Sequence, residues 1–111
     1  MNRDEDKLQA EIVQWYSLEY GRKHDKCLFL INNNAKKTIE IMRLKALGLK
    51  SGVSDLGLIV PKKTIFVELK TSKGIQGPEQ KEFERQLKEF EGEYFLIRSL
   101  EEFKLLCKKY Y

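Results

Sequence analysis

The sequence predicts an α/β domain in which a mixed β-sheet is flanked by helices, in the order α-β-α-β-β-α-β-α. Three observations lead to this fold class. Helical and strand-like apolar patterns alternate along the chain, two apolar runs in its middle lie three residues apart, and 111 residues suffice for one core. No repeat, low-complexity segment or linker marks a boundary, so residues 1–111 are expected to form a single domain.

The first half of the chain predicts two helices and one strand. A helix is expected over residues 5–20, because apolar residues recur there at helical spacing, and Gly21 is its expected end. The apolar run 27–31 predicts a buried strand that three asparagines terminate. A second helix is expected over residues 38–47, with Gly48 as its terminator.

The second half begins with a predicted hairpin. Two strand-like runs, 56–60 and 64–70, are separated by so few residues that only an antiparallel turn can join them. Proline is tolerated in a first helical turn, and the capping box of Ser99 and Glu102 marks another helix start. The remaining predicted elements are a helix from Pro78 to Phe90, a strand over 94–98 and a helix over 100–110.

The hairpin brings three polar residues together. A turn at residues 62 and 63 would place Asp55 opposite Lys70 and Gly57 opposite Glu68, where the missing side chain would leave space. Directly opposed residues, and residues two apart along a strand, point to the same side of a sheet. Asp55, Glu68 and Lys70 are therefore expected on one face, and a turn longer by an even number of residues would keep them there.

Composition excludes several kinds of site. One histidine, His24, and two cysteines without CxxC spacing cannot complete a zinc tetrahedron, so oxygen ligands and Mg²⁺ or Mn²⁺ are expected. No apolar run approaches the roughly 20 residues of a membrane span, and the charged N-terminus does not resemble a signal peptide. A cytoplasmic location is expected. The net charge of +4, with its basic excess in the middle of the chain, favours a polyanion partner.

The three polar residues suit phosphodiester chemistry. Asp55 and Glu68 are expected to bind a divalent cation, with the backbone carbonyl of Leu69 as a neutral ligand. Lys70 is suited to hold an attacking water and to offset transition-state charge. Alternatively, Glu68 and Lys70 form the solvent face of an edge strand and Asp55 is a turn residue. The apolar character of both strands argues against that alternative, because buried charges need a reason.

Four segments together resemble the VRR-NUC branch of the PD-(D/E)XK nucleases, in its stand-alone phage or bacterial form. They are 48–56 (GLKSGVSDL), 65–70 (IFVELK), Gly74, and 78–80 (PEQ). The resemblance implies a restriction-endonuclease-like core and a metal-dependent endodeoxyribonuclease, acting in a bacterial or phage-infected cell. One position departs from the family pattern: Ser54 stands where a proline usually precedes the aspartate, which bears on local rigidity more than on catalysis.

The resemblance also extends the site to two helices. It implies that Glu5 reaches the metal directly or through water, and that Gln80 orients Lys70 or a water at the catalytic centre. The alternatives are that Glu5 is only a favourable charge in a first helical turn and that Gln80 is helix surface. Asn33 corresponds to a polar position near DNA, or belongs to a turn of three asparagines.

The expected partner is DNA. Nothing in the sequence suggests base readout, so cutting of branched DNA, such as a four-way junction, is expected before sequence-specific cutting. Two cuts in a junction would call for a homodimer. The alternatives are a flap-type or restriction-type nuclease, and a non-catalytic nucleic-acid-binding module. The residues expected to contact DNA are Asn33, Lys36, Lys37, Lys50 and Lys73.

Overall fold

The computed structural model describes residues 3–31 and 38–111 and confirms the predicted order of elements. Its helices are α1 (Arg3–His24), α2 (Thr38–Ala46), α3 (Pro78–Glu89) and α4 (Leu100–Tyr110). Its strands are β1 (Leu28–Leu30), β2 (Leu56–Val60), β3 (Lys63–Leu69) and β4 (Glu93–Ile97). A single turn of 3-10 helix, Asp25–Cys27, joins α1 to β1. Of the helices in these ranges, none combines the length and apolarity that crossing a membrane requires.

The sheet is mixed, as expected, with the strand order β1-β2-β3-β4. β1 pairs with β2, and β2 with β3, in antiparallel fashion, whereas β3 and β4 run parallel. The parallel pair follows from the connection, because α3 carries the chain back across the sheet before β4 begins. β3 is therefore a central strand with partners on both sides.

Helices cover both faces of the sheet. On one face, Ile65, Val67 and Leu69 are fully buried in a core that also contains Ile12 of α1 and Phe103 of α4. On the other face, the ring of Phe83 in α3 makes edge-on contacts with the rings of Phe66 in β3 and Tyr94 in β4. The side chains that alternate with the core residues of β3 therefore point toward α3.

The hairpin register differs from the predicted one. The turn consists of residues 61 and 62, so that Val60 pairs with Lys63, and Lys62 has a φ of 70°. Proline lacks an N–H for the ladder and suits the first central position of a turn, which draws Pro61 out of β2. The register therefore differs from the predicted one by two residues. Because this is an even number, Asp55, Glu68 and Lys70 still lie on one face of the sheet, as predicted.

Gly57 consequently has another role than the predicted one. It lies opposite Phe66, not Glu68, and its other neighbour in the sheet is Phe29 of β1. A Cβ atom at Gly57 would lie 2.3 Å from Cζ of the Phe29 ring. The space left by the glycine is thus filled by an aromatic side chain, and it does not belong to the polar site.

The predicted end of the first helix was also wrong. α1 continues through Gly21 to His24, whose carbonyl accepts a hydrogen bond of 3.0 Å from the Tyr16 hydroxyl. The Tyr111 ring stacks on His24 at a centroid distance of 5.6 Å. A glycine in a helix interior lowers stability by about 1 kcal/mol. The hydrogen bond of Tyr16 and the stacking of Tyr111 stabilise the last turn of α1 and oppose that cost.

We expect Gly57→Ala to lower the free energy of unfolding by about 1–3 kcal/mol, because the added methyl group overlaps the Phe29 ring. Urea unfolding followed by circular dichroism measures the change. Gly77→Ala is the matched control, since a Cβ there meets no atom within 4 Å. Equal stability of the Gly57→Ala protein and the wild type would contradict the packing described for Phe29.

Candidate active site

An open cleft of about 390 Å³ lies beside the C-terminal end of β3. Its walls come from α1, from α2 and the segment that follows it, from β3, and from the first turn of α3. The five side chains that are predicted to form one site all line this cleft: Glu5, Asp55, Glu68, Lys70 and Gln80. Elements far apart in sequence thus converge on one concave surface.

Asp55 and Glu68 face each other at the base of this cleft. The pairing of Leu56 with Val67 is the last in the ladder, and one residue further Asp55 stands opposite Glu68. Both are buried, with relative exposures of 7% and 2%. Asp55 Oδ2 accepts a hydrogen bond of 2.7 Å from the backbone N–H of Leu69, which holds this carboxylate against β3.

Glu68 is held by α3 but keeps one oxygen without a donor. Its Oε2 accepts a hydrogen bond of 2.9 Å from Gln80 Nε2. Within ranges 3–31 and 38–111, no group donates to its buried Oε1. Burial, followed by the negative charge of Asp55, raises the pKa of Glu68 to about 9. Burial also raises the pKa of Asp55, so the pair favours sharing a proton or binding a cation.

Gln80 forms hydrogen bonds at the start of α3 and to the carboxylate pair, while its expected role in orienting Lys70 or a water stays a prediction. Its Oε1 accepts a hydrogen bond of 2.9 Å from the backbone N–H of Gly77, which caps the start of α3. With its Oε1 engaged in this way, its Nε2 is free to point at Glu68. The glutamine therefore holds one of the two carboxylates.

Lys70 is the basic group beside the pair. Its Nζ lies 3.6 Å from Glu5 Oε1, and the two side chains are only 16% and 9% exposed. The backbone N–H of Lys70 donates to the carbonyl of Ile97 in β4, at 3.1 Å. Glu5 thus approaches the site through Lys70. Of the Asp, Glu, His and Cys residues that the structure describes, no three form a group that could hold a metal.

The expected DNA contacts are distributed unevenly. Lys50 lines the cleft, whereas Lys73 is exposed on the turn after β3 and lies outside the lining. Asn33, Lys36 and Lys37 fall outside the described residues. Lys45, which is not among the residues named above as DNA contacts, lines the cleft one helical turn after Ile41. Its spacing from Ile41, i and i+4, was the available signal.

Two further residues support the site without having been predicted. Gly52, with φ of 80°, packs so closely on α3 that a Cβ would lie 2.5 Å from the Glu79 carbonyl carbon. Arg98 at the end of β4 donates to the carbonyls of Thr71 and Gly74, at 2.6 and 2.8 Å. Gly52 thus brings its segment against α3, and Arg98 holds the turn that follows Lys70.

Position 54, where the sequence departs from the VRR-NUC pattern, is restrained in another way. Ser54 is fully buried, and its hydroxyl donates a hydrogen bond of 3.2 Å to the carbonyl of Leu56. The Asp55 carbonyl in turn accepts from the N–H of Ile31, at 2.9 Å. The backbone around Asp55 is thus held by hydrogen bonds on both sides.

A solved structure of a VRR_NUC domain protein matches this chain with a TM-score of 0.80 and 18% sequence identity. The match covers 99% of this chain and 89% of that one. No protein-family model and no curated protein matches the sequence. The chain therefore has a VRR_NUC-like fold, which confirms the predicted fold class.

The carboxylate pair predicts how stability depends on pH without divalent cations. The pKa of Glu68 rises from 4.5 to about 9 on folding, so the folded protein retains a proton that the unfolded chain has lost. Stability should therefore fall as pH rises from about 5 to about 9, by about 2 kcal/mol or more. Thermal unfolding in EDTA measures this slope. The stability of the Glu68→Gln protein should depend less on pH across that range. Equal pH dependence of the two proteins would contradict the raised pKa of Glu68.

Proposed function

We propose that this protein is a metal-dependent endodeoxyribonuclease of the PD-(D/E)XK type, like the stand-alone phage and bacterial VRR-NUC enzymes that its sequence resembles. The observation that carries the proposal is the buried, mutually repelling pair of Asp55 and Glu68 beside Lys70, in an open cleft. Two buried carboxylates that lack a compensating positive charge lower the stability of the folded protein. This cost is understandable if a cation compensates it.

The donor set fits Mg²⁺ or Mn²⁺. Two carboxylates supply hard oxygen ligands, and the buried Glu68 Oε1 is an oxygen for which the described chain offers no donor. The N–H of Leu69 points at Asp55, and its carbonyl points to the same side of the strand because the two groups of one strand residue are parallel. Leu69 could thus add a neutral ligand, and Glu5 could add a contact through water.

The roles of the side chains follow from their contacts. The bound cation would activate a water and offset negative charge on the phosphate. The water oxygen would bond to phosphorus and lose a proton to solvent, the bond to the leaving sugar oxygen would break, and that oxygen would take up a proton from solvent. Lys70 would hold the attacking water and offset charge on the phosphoryl oxygens. Glu5 positions Lys70, and Gln80 positions Glu68.

Branched DNA is the proposed substrate, with a four-way junction as the first to test. Lys45 and Lys50 line the cleft and suit the sugar-phosphate backbone. No helix-turn-helix, zinc finger or arginine cluster aimed at a groove was found in the sequence, and so the enzyme would recognise shape rather than bases. A flap or restriction-type specificity, or a non-catalytic binding module, is the alternative.

We expect Glu68→Gln and Lys70→Ala each to reduce cleavage of labelled four-way junction DNA by about a thousandfold or more, because each removes a group at the reacting phosphate. Single-turnover assays with Mg²⁺, Mn²⁺ or EDTA, on junction and on linear duplex, measure the loss. Wild-type cleavage should require the metal.

Glu11→Gln and Lys108→Ala serve as matched controls, since both side chains are exposed and lie outside the cleft lining. Both should cleave at the wild-type rate. Junction cleavage that survives Glu68→Gln and Lys70→Ala would refute the assigned site. Cutting of linear duplex alone would refute the branched substrate, and binding without cleavage under any metal would favour the non-catalytic module.

We further propose that the protein acts as a homodimer. Residues 3–31 and 38–111 form one cleft that is lined by both Asp55 and Glu68, whereas resolving a four-way junction requires two cuts related by the two-fold symmetry of the DNA. Sedimentation velocity at micromolar concentration, with and without junction DNA, should give the mass of two chains. A monodisperse monomer under both conditions would rule the homodimer out.

A further inference from the structure

One part of the cleft wall is apolar, although most of the residues that line the cleft are polar or charged. Ile41 of α2 and, after it, Leu49 and Val53 line the cavity. All three are half-buried, and none belongs to the hydrophobic core or to the side chains that pack against it. Their partly buried surfaces therefore border the cleft.

This wall is not explained by the proposed metal site. Cation binding and water activation require oxygen ligands and Lys70, and an aliphatic surface supplies neither. The same wall carries Lys45 next to Ile41 on the helix and Lys50 next to Leu49 in the chain. Apolar and cationic side chains from the same stretch of chain thus line the cavity together.

The combination matches the chemistry of a single nucleotide. A nucleobase presents an apolar face that packs against aliphatic or aromatic side chains, and its phosphate pairs with lysine. A cavity of about 390 Å³ lies in the range of small-ligand pockets, about 300–1,000 Å³. A double helix cannot enter such a cavity and can only lie across its mouth.

We propose that this wall binds the base of one unpaired nucleotide adjacent to the phosphate that is cut, with Lys45 and Lys50 on the neighbouring phosphates. The inference rests on the proposed function in that its ligand is a DNA strand. It deepens that function by giving a physical origin for substrate choice. Extracting a base from continuous duplex costs stacking and pairing energy, whereas at a branch point or bulge the base is already free.

The test compares three DNAs of one sequence: a continuous duplex, a duplex with one bulged adenine, and a duplex with an abasic bulge. Wild-type protein with Mg²⁺ or Mn²⁺ should cut beside the bulged adenine about tenfold faster than in the continuous duplex. The abasic bulge should lose most of that advantage, because the backbone is distorted but no base can fill the cavity.

A second measurement follows binding without cleavage. With Ca²⁺ in place of Mg²⁺, 2-aminopurine at the bulged position should change its fluorescence on addition of wild-type protein. The protein with Ile41→Ala and Leu49→Ala should show about a tenfold smaller preference for the bulged base over the abasic one. Leu47→Ala is the matched control, since Leu47 is 72% exposed and does not line the cleft. Melting temperatures establish that each variant is folded.

The outcomes separate this inference from the proposed function. Cleavage of all three DNAs at equal rates, without a fluorescence change, overturns the nucleotide site and leaves the nuclease standing. A fluorescence change that depends on Ile41 and Leu49, without cleavage by any metal, supports the nucleotide site and overturns the nuclease. Cleavage of none of the DNAs together with no fluorescence change overturns both. Equal effects of Leu47→Ala and the double substitution would also overturn the site.

Discussion

The pairing of β2 with β3 is the interaction on which both the core and the candidate site depend. Along β3, residues of one parity (Ile65, Val67 and Leu69) fill the core, and Glu68, between two of them, points into the cleft. The same backbone hydrogen bonds therefore set how well the core packs and how close Asp55 comes to Glu68. A slip of one residue would exchange the two faces, burying carboxylates in the core and exposing aliphatic residues. Hydrophobic burial thus enforces the geometry of the polar site.

The site that results is electrostatically unfavourable for the isolated chain. Burial and mutual repulsion raise the pKa values of Asp55 and Glu68, and only some of their oxygens receive hydrogen bonds. Neighbouring elements restrain the pair instead of neutralising it. Gln80 holds Glu68, the N–H of Leu69 holds Asp55, and Glu5 keeps Lys70 close by. Such strain is typical of sites where a ligand supplies the missing compensation.

Local interactions at the periphery adapt the fold to this particular sequence. Phe29 occupies the space above Gly57, Gly52 lets the segment after α2 approach α3, and Ser54 restrains the backbone beside Asp55 by a hydrogen bond to the Leu56 carbonyl. A chain only 18% identical to a VRR_NUC domain protein shares its fold with a TM-score of 0.80. The fold tolerates many local solutions as long as the apolar pattern of the strands is kept.

The sequence by itself determined the order of the elements and the facing of Asp55, Glu68 and Lys70, because apolar periodicity and strand alternation are local properties. The hairpin register predicted from the sequence differed from the observed one by two residues, because Pro61 lies in the turn and does not pair in the ladder. Only the tertiary structure decided that Phe29 fills the space at Gly57, that Gln80 holds Glu68, and that Lys45 enters the cleft. Such contacts join elements that are distant in the chain, and their distances depend on how whole helices pack. The residue types of the candidate site thus indicated its chemistry, whereas the side chains that contact those residues could be identified only from the tertiary structure.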